Sequence, residues 1–134
     1  MAQVSRDNAE LFLEMLEAIN RMDIPAALQF MDPEVQFDHR VADLQGSATG
    51  LEQVRALFAD FVESFDALQV DCPDIRDLGD RVLALGTTRA TGKGSGVETE
   101  LPFTVVARFR DGRMTHFTDF GDKEKALEAA GLSE

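Results

Sequence analysis

The sequence predicts a single α+β domain, with helices gathered on one face of a curled antiparallel sheet. Three observations carry this. Apolar residues recur at helical spacing through the first half of the chain, and they alternate with a period of two from Ala67 onward. Turn signals at Pro73, Gly79-Asp80, Gly92 to Gly96 and Asp111-Gly112 then divide the second half into lengths suited to strands. At 134 residues the chain has room for one domain, since a typical domain takes about 150. Ten phenylalanines and 44% apolar residues suffice to fill its core. Short connections between the later strands imply antiparallel pairing. A strongly bent sheet closed by helices makes a cone, and the space inside becomes a pocket.

Residues 5–22 read as the first helix, with Ser5 as its N-cap and Asn8 three residues on; Leu11, Phe12, Met15, Leu16, Ile19 and Met22 form the apolar stripe. Asp23 caps a short second helix with Pro25 in the first turn and Ile24, Ala27, Leu28 and Met31 on its apolar face. That helix stops at Asp32-Pro33. Glu34 to His39 alternate as a short strand would, Val35 and Phe37 on one side and Gln36 and Asp38 on the other. A loop ending in Gly46 to Gly50 leads to a third helix, where Leu51, Val54, Leu57, Phe58, Phe61, Val62 and Phe65 keep a 3.6-residue period. Four strands fit between the later turn signals, at 68–76, 81–91, 97–110 and 113–120. Asp122 caps a last helix over 123–130, which Gly131 stops.

Composition narrows the function classes. Thirteen basic against 25 acidic residues leave a formal charge of −12. Such a surface repels phosphate backbones and anionic lipid, so neither nucleic acid nor membrane is expected as a partner. One cysteine, Cys72, can form neither an internal disulfide nor a cysteine zinc site, and it reads as a packing residue. No apolar run reaches the 18 residues of a membrane span, and Met1 to Asp7 lacks the features of a signal peptide. The expected location is the cytoplasm. Gly92-Lys93-Gly94-Ser95-Gly96 lacks a Gly-Lys-Ser/Thr ending and a following helix, so it reads as a hairpin and not as a phosphate cradle. His39 and His116 could hold a metal only with carboxylates, and strand parity turns His116 away from the cone. No metal and no cofactor are expected.

Strand parity sorts the pocket lining from the outer face. Over 97–110, Phe103, Val105, Ala107 and Phe109 are the apolar set and should face inward. In the last strand Thr115, Phe117 and Asp119 share one face, and Met114, His116, Thr118 and Phe120 the other. Met15, Phe37, Phe58 and Phe61 belong to the core stripes, some of whose members should also line the cavity. The outer face then carries Leu83, Leu85, Thr104, Val106, Arg108, Met114 and His116. This mixture of apolar and basic groups suggests a homodimer through that face.

The order of elements resembles that of the nuclear-transport-factor-2-like superfamily, and within it the SnoaL-like group. Local matches are Met22-Asp23-Ile24, Asp32-Pro33-Glu34-Val35-Gln36-Phe37, Gly50-Leu51-Glu52, Phe109-Arg110-Asp111-Gly112-Arg113-Met114 and Phe117-Thr118-Asp119-Phe120. The resemblance spans nearly the whole chain. It implies a cone fold, with Ala84, Gly86, Thr88 and Asp119 directed inward, the small residues at 84, 86 and 88 leaving volume for the cavity. It does not imply one activity, because the superfamily hosts isomerases, cyclases, epoxide hydrolases, dehydratases and proteins with no chemistry.

Asp119 is the first catalytic candidate. A carboxylate at the inner end of the last strand, flanked by Phe117 and facing Phe103 or Phe109, would be desolvated and its pKa raised, as suits a general acid or base near neutral pH. The resemblance also places a catalytic aspartate at about this position. The structural alternative is a helix cap or an ion pair with Arg89 or Arg113. Asp38 and His39 are the second candidates, since ketosteroid-isomerase-like members carry a proton-shuttling aspartate at this strand end. Gapless counting puts His39 there and a one-residue slip puts Asp38. What the chain lacks is also informative. Met15 and Val105 stand where those isomerases place a Tyr and a protonated Asp, and Gly86 and Thr88 stand where epoxide hydrolases need an Arg and a second Asp. A SnoaL-like cyclase, isomerase or lyase asks only for one acid or base in a shaped apolar cavity. The expectation is therefore a pocket protein for a small apolar molecule, acting by acid–base catalysis on an apolar carbonyl or polyketide-like substrate. The alternatives are a non-catalytic binder in the same pocket and a protein-docking module using exposed apolar surface.

Overall fold

A computed structural model describes residues 7–41 and 44–132, with residues 39–41 and 44–46 described by backbone alone. The chain runs α1 (Asn8–Asn20), α2 (Ile24–Leu28), β1 (Met31–Val41), β2 (Leu44–Thr49), α3 (Gly50–Ser64), β3 (Phe65–Asp77), β4 (Arg81–Gly92), β5 (Glu98–Arg110), β6 (Arg113–Asp119) and α4 (Lys123–Ala129). The strands form one curved, unclosed sheet in the order β2-β1-β6-β5-β4-β3. Every neighbouring pair is antiparallel except β1 and β6, which run parallel. The sheet is thus mixed, where a purely antiparallel one was expected. No described helix is long and apolar enough to cross a membrane.

Local chemistry explains the boundaries. The cap of α1 is Asp7: its carboxylate accepts from the Glu10 N–H at 2.8 Å, while the Glu10 side chain accepts from the Asp7 N–H at 3.3 Å. This reciprocal box satisfies two orphan donors at the helix start. It displaces the expected cap, Ser5, which lies outside the described residues. Asp23 caps α2 as its sequence suggests, by accepting from Ala26 N–H. The loop expected before the third helix contains a strand: β2 pairs Gln45 to Thr49 with Gln36 to Arg40. Phe65, counted in the helical stripe, already has extended backbone and opens β3.

Two layers bury apolar surface on opposite faces of the sheet. On the concave side α1 and α3 pack on the strands, and Phe12, wholly buried, lies 6.4 Å from the rings of both Phe103 and Phe117. On the convex side α4 sets Ala126, Leu127 and Ala130 against Leu83, Leu85 and Val106. This corrects the reading of the outer face. Three of the four apolar side chains that motivated a two-fold contact are covered by the chain's own helix. Met114 is also misplaced by parity: an irregularity in the β5–β6 register pairs Arg108 with His116 but Phe109 with Met114, which makes Thr115 an extra residue. The bulge returns Met114 to the concave core. Arg108 and His116 stay exposed, so a homodimer through this face loses its apolar ground.

Candidate functional site

A cavity of about 100 Å³ opens on the concave side, walled by α1, α3 and strands β1, β3, β4, β5 and β6. Its inner wall follows from register. Phe37 of β1 and Phe117 of β6 are paired residues on neighbouring strands, so their rings stack in parallel, 4.1 Å apart and 5° from coplanar. Phe58 of α3 meets Phe37 edge-on at 5.5 Å, the geometry that the ring quadrupole favours. Phe61 and Phe103 complete the aromatic surface.

Of the residues expected to line the pocket, Phe37, Phe58, Phe61, Thr88, Phe103 and Phe117 lie on the cavity wall. Met15, Ala84 and Val105 do not; they are wholly buried in the core beneath it. Gly86 has a different role from the one expected. A Cβ there would collide with the Asp71 carbonyl oxygen and stand 2.7 Å from Cys72 Cα. Its missing side chain admits the irregular stretch of β3 between Asp71 and Asp74, and does not enlarge the cavity. The wall also includes residues not singled out from the sequence, among them Leu16, Ile19, Leu68, Val70, Ala90 and Leu101. For the four on strands the signal was present: Leu68 pairs with Ala90, Val70 with Thr88, and Thr88 with Leu101, so following the two-residue period from Thr88 across the sheet reaches them, while Leu16 and Ile19 belong to the apolar stripe of α1.

Asp119 is the one ionisable side chain on this wall among the described residues, and it is 4% exposed. Its partner in register is Val105, which fixes it on the concave face. Three donors converge on its Oδ1: the Thr104 N–H at 3.3 Å, the Thr104 hydroxyl at 3.3 Å and the Gly121 N–H at 3.1 Å. The carboxylate thereby closes the end of the β5–β6 ladder and pins the turn at Gly121, whose φ of 71° suits glycine. Neither the helix cap nor an ion pair with Arg89 or Arg113 describes this role. Asp122 caps α4 instead, and Arg89 faces Glu100 at 3.8 Å. Apolar walls disfavour charge on a carboxylate, whereas donated N–H and O–H groups favour it.

The other two candidates separate by backbone alternation. Asp38 follows Phe37 and pairs with Thr118, so it takes the side of β1 away from the cavity and is not on the wall. His39 stands beside Asp119 in the β1–β6 register, and its side chain lies outside the described part. Cys72 is half-buried, with its Sγ 3.5 Å from the Leu85 carbonyl oxygen. Burial, reinforced by the charge of Asp74, pushes its thiol up to about 12. Such a thiol is not a nucleophile at neutral pH. Among the described residues, no three His, Cys, Asp or Glu side chains converge as a metal site would require.

Comparison with known proteins agrees with this architecture. A family model described as a SnoaL-like domain matches residues 12–117. An NTF2-like protein of unknown function from Burkholderia pseudomallei shares 27% identity at a TM-score of 0.77, over 92% of this chain and 97% of that one. TerC, solved with polyporic acid, is 23% identical with a TM-score of 0.75, over 92% of this chain and 98% of its own. A putative polyketide cyclase from Xanthomonas campestris pv. campestris is 22% identical with a TM-score of 0.70, over 90% and 94%. No protein with a curated description matches the chain by sequence.

Proposed function

The chain belongs to the SnoaL-like domain family, and from that premise we propose that it moves a proton on a small apolar carbonyl compound held in the concave cavity. Asp119 is the proton carrier. The observation that carries this reading is a carboxylate set almost wholly out of water on the wall of an otherwise apolar, aromatic cavity. Transferring a carboxylate from water to such a place is costly, and a substrate proton gives it a use. With Oδ1 held by three donors, the carboxyl group is fixed in orientation before a ligand arrives, which is the condition for efficient proton transfer. His39, next to Asp119 in register, is proposed as its partner in passing the proton on. Asp38 is given no part. The names of a putative polyketide cyclase and of a putative hydroxylase, AclR from Streptomyces galilaeus, support an enzyme reading of the fold.

A second reading has its own observation. The three bonds to Oδ1 tie β5 to the turn before α4, and this alone gives Asp119 a structural reason to be buried. A binding protein without turnover would need nothing more. Deuterium exchange separates the two. The protein, 4-methylcyclohexanone and D₂O are followed by proton NMR, with loss of the signal at the carbons beside the carbonyl as the readout. The enzyme reading expects exchange that wild type accelerates and Asp119→Asn abolishes. Equal exchange with both, at the rate of buffer, leaves the binding reading.

A further inference from the structure

We infer that Thr104 is a positioning residue for Asp119, its N–H and hydroxyl together holding the carboxyl in the orientation and charge state from which it takes a proton. This rests on proton transfer by Asp119 and adds a second residue to it. Burial is the first argument. Among the described residues only Thr104 and Asp119 are both polar and buried, and they are bonded to each other. Thr104 pairs with Leu85 of β4 and stands between Phe103 and Val105, all three buried. In such surroundings valine would fill the same volume with no hydroxyl to satisfy.

Strand geometry is the second argument. The β5–β6 pairing closes with the Phe120 N–H on the Thr104 carbonyl oxygen at 2.9 Å, and the Thr104 N–H goes to Asp119 Oδ1 at 3.3 Å. A side-chain oxygen thus stands where a longer ladder would bring a backbone carbonyl, and the Thr104 hydroxyl donates to the same oxygen at 3.3 Å. Of the three donors on Oδ1, the Thr104 and Gly121 N–H groups are backbone. The hydroxyl is the donor that a substitution removes while the strand remains. Donors to a carboxylate favour its ionised form, so the hydroxyl works against the apolar wall and keeps Asp119 a base. It also limits rotation of the carboxyl, as a reactive pose requires. At 3.3 Å the bond is long for a hydroxyl, and its removal should cost a severalfold factor.

Thr104→Val and Thr104→Ala remove the hydroxyl, and Thr104→Ser keeps it. Two readouts are taken on each: titration of the Asp119 carboxyl carbon by NMR, assigned with Asp119→Asn, and deuterium exchange into acetone in D₂O. In the exchange a proton beside the carbonyl passes to the carboxylate and its bonding pair forms the enolate. The carboxyl group then equilibrates with D₂O and returns a deuteron to that carbon. The Val and Ala variants are expected to titrate about half a pH unit above wild type and to exchange about 3- to 10-fold more slowly, the equivalent of one hydrogen bond. The Ser variant should match wild type within about twofold. Asp38 and His39 of β1 and Asp122 at the start of α4 are the same in every variant, so their charges cancel in the comparison. A hydroxyl with a structural role alone would alter stability to urea and leave the exchange rate of the folded protein unchanged. Val and Ala variants that titrate and exchange as wild type does, or a Ser variant that restores neither, overturn the inference. Should neither Val nor Ala fold, the wild type decides: the Thr104 amide proton resonance should move downfield as Asp119 ionises, and one that ignores the ionisation overturns the inference. Exchange absent from wild type with the titrations as expected refutes proton transfer and leaves the hold of Thr104 on the carboxyl standing. Exchange present with unmoved titrations does the converse.

Discussion

Replacing Asp119 by Ala and by Asn separates its structural role from its chemical one. Ala removes the acceptor of the Thr104 N–H, the Thr104 hydroxyl and the Gly121 N–H at once. Thr104 is 5% exposed, so water cannot replace the partner of its N–H, and an unsatisfied buried donor costs about 1–3 kcal/mol. The Thr104 hydroxyl can rotate and Gly121 is half-buried, so their losses are smaller. Together the Ala variant should lose about 2–4 kcal/mol. Asn keeps a carbonyl oxygen in the place of Oδ1 and gives up the charge assistance to these three bonds. At 3.1 and 3.3 Å these bonds are longer than the ~2.7–2.9 Å of strong charge-assisted ones. The Asn variant should therefore lose no more than about 1 kcal/mol. Urea unfolding at pH 7 reads the difference: with a slope of about 1–3 kcal/mol/M, the midpoint of the Ala variant should fall by one molar or more and that of Asn by a few tenths. Equal losses for both would mean that the charge, and not the accepting oxygen, holds the strand end. Wild-type stability in the Ala variant would refute the structural role altogether.

Other outcomes follow from the packing. Gly86→Ala should destabilise by about 1–3 kcal/mol, because the added methyl meets β3 backbone and not a movable side chain; the gain usual for Gly→Ala in a strand would show that β3 runs elsewhere. Leu127→Ala should cost about 2–4 kcal/mol by emptying the contact of α4 with Leu83, Leu85 and Val106, and a loss under about 0.5 kcal/mol would show that α4 is not docked there. The Cys72 thiol, raised from 9.0 to about 12 by burial and Asp74, should react with a disulfide reagent at pH 8 about a thousandfold more slowly than in urea-unfolded chain. The folded state holds that proton more tightly, so its contribution to stability is full below pH 9 and is lost as pH rises toward 12. Reaction at the unfolded rate would contradict the burial.

What the sequence reveals depends on whether a residue's neighbours in the chain are also its neighbours in space. The seam of α3 is legible from Leu51 to Phe61 because one helix face repeats locally. The segment Leu44 to Thr49 is not legible as a strand. Its Gly, Ser and Ala carry no strand preference, and it is held by pairing with β1. Parity fails at Met114, since the bulge at Thr115 inserts a residue into a period of two. The same limit hid the cover over Leu83, Leu85 and Val106: their alternation marks a face but does not say that α4, which comes far later in the chain, folds back over it. Gly86 was read for the volume it leaves, whereas the space is taken by a strand distant in sequence. The inward placement of Asp119 came from resemblance, and its bond with Thr104 rests on a pairing between strands that no local pattern encodes.

The most direct test of proton transfer by Asp119 is the crystal structure of the chain with 4-methylcyclohexanone at saturation. The account expects the ring against the Phe37–Phe117 stack, and a carbon next to the carbonyl within about 3.5 Å of an Asp119 carboxyl oxygen, the separation of a reactive pose. A ketone bound with its carbonyl side toward the mouth and Asp119 beyond reach, or a cavity left empty with the ligand elsewhere, would contradict it.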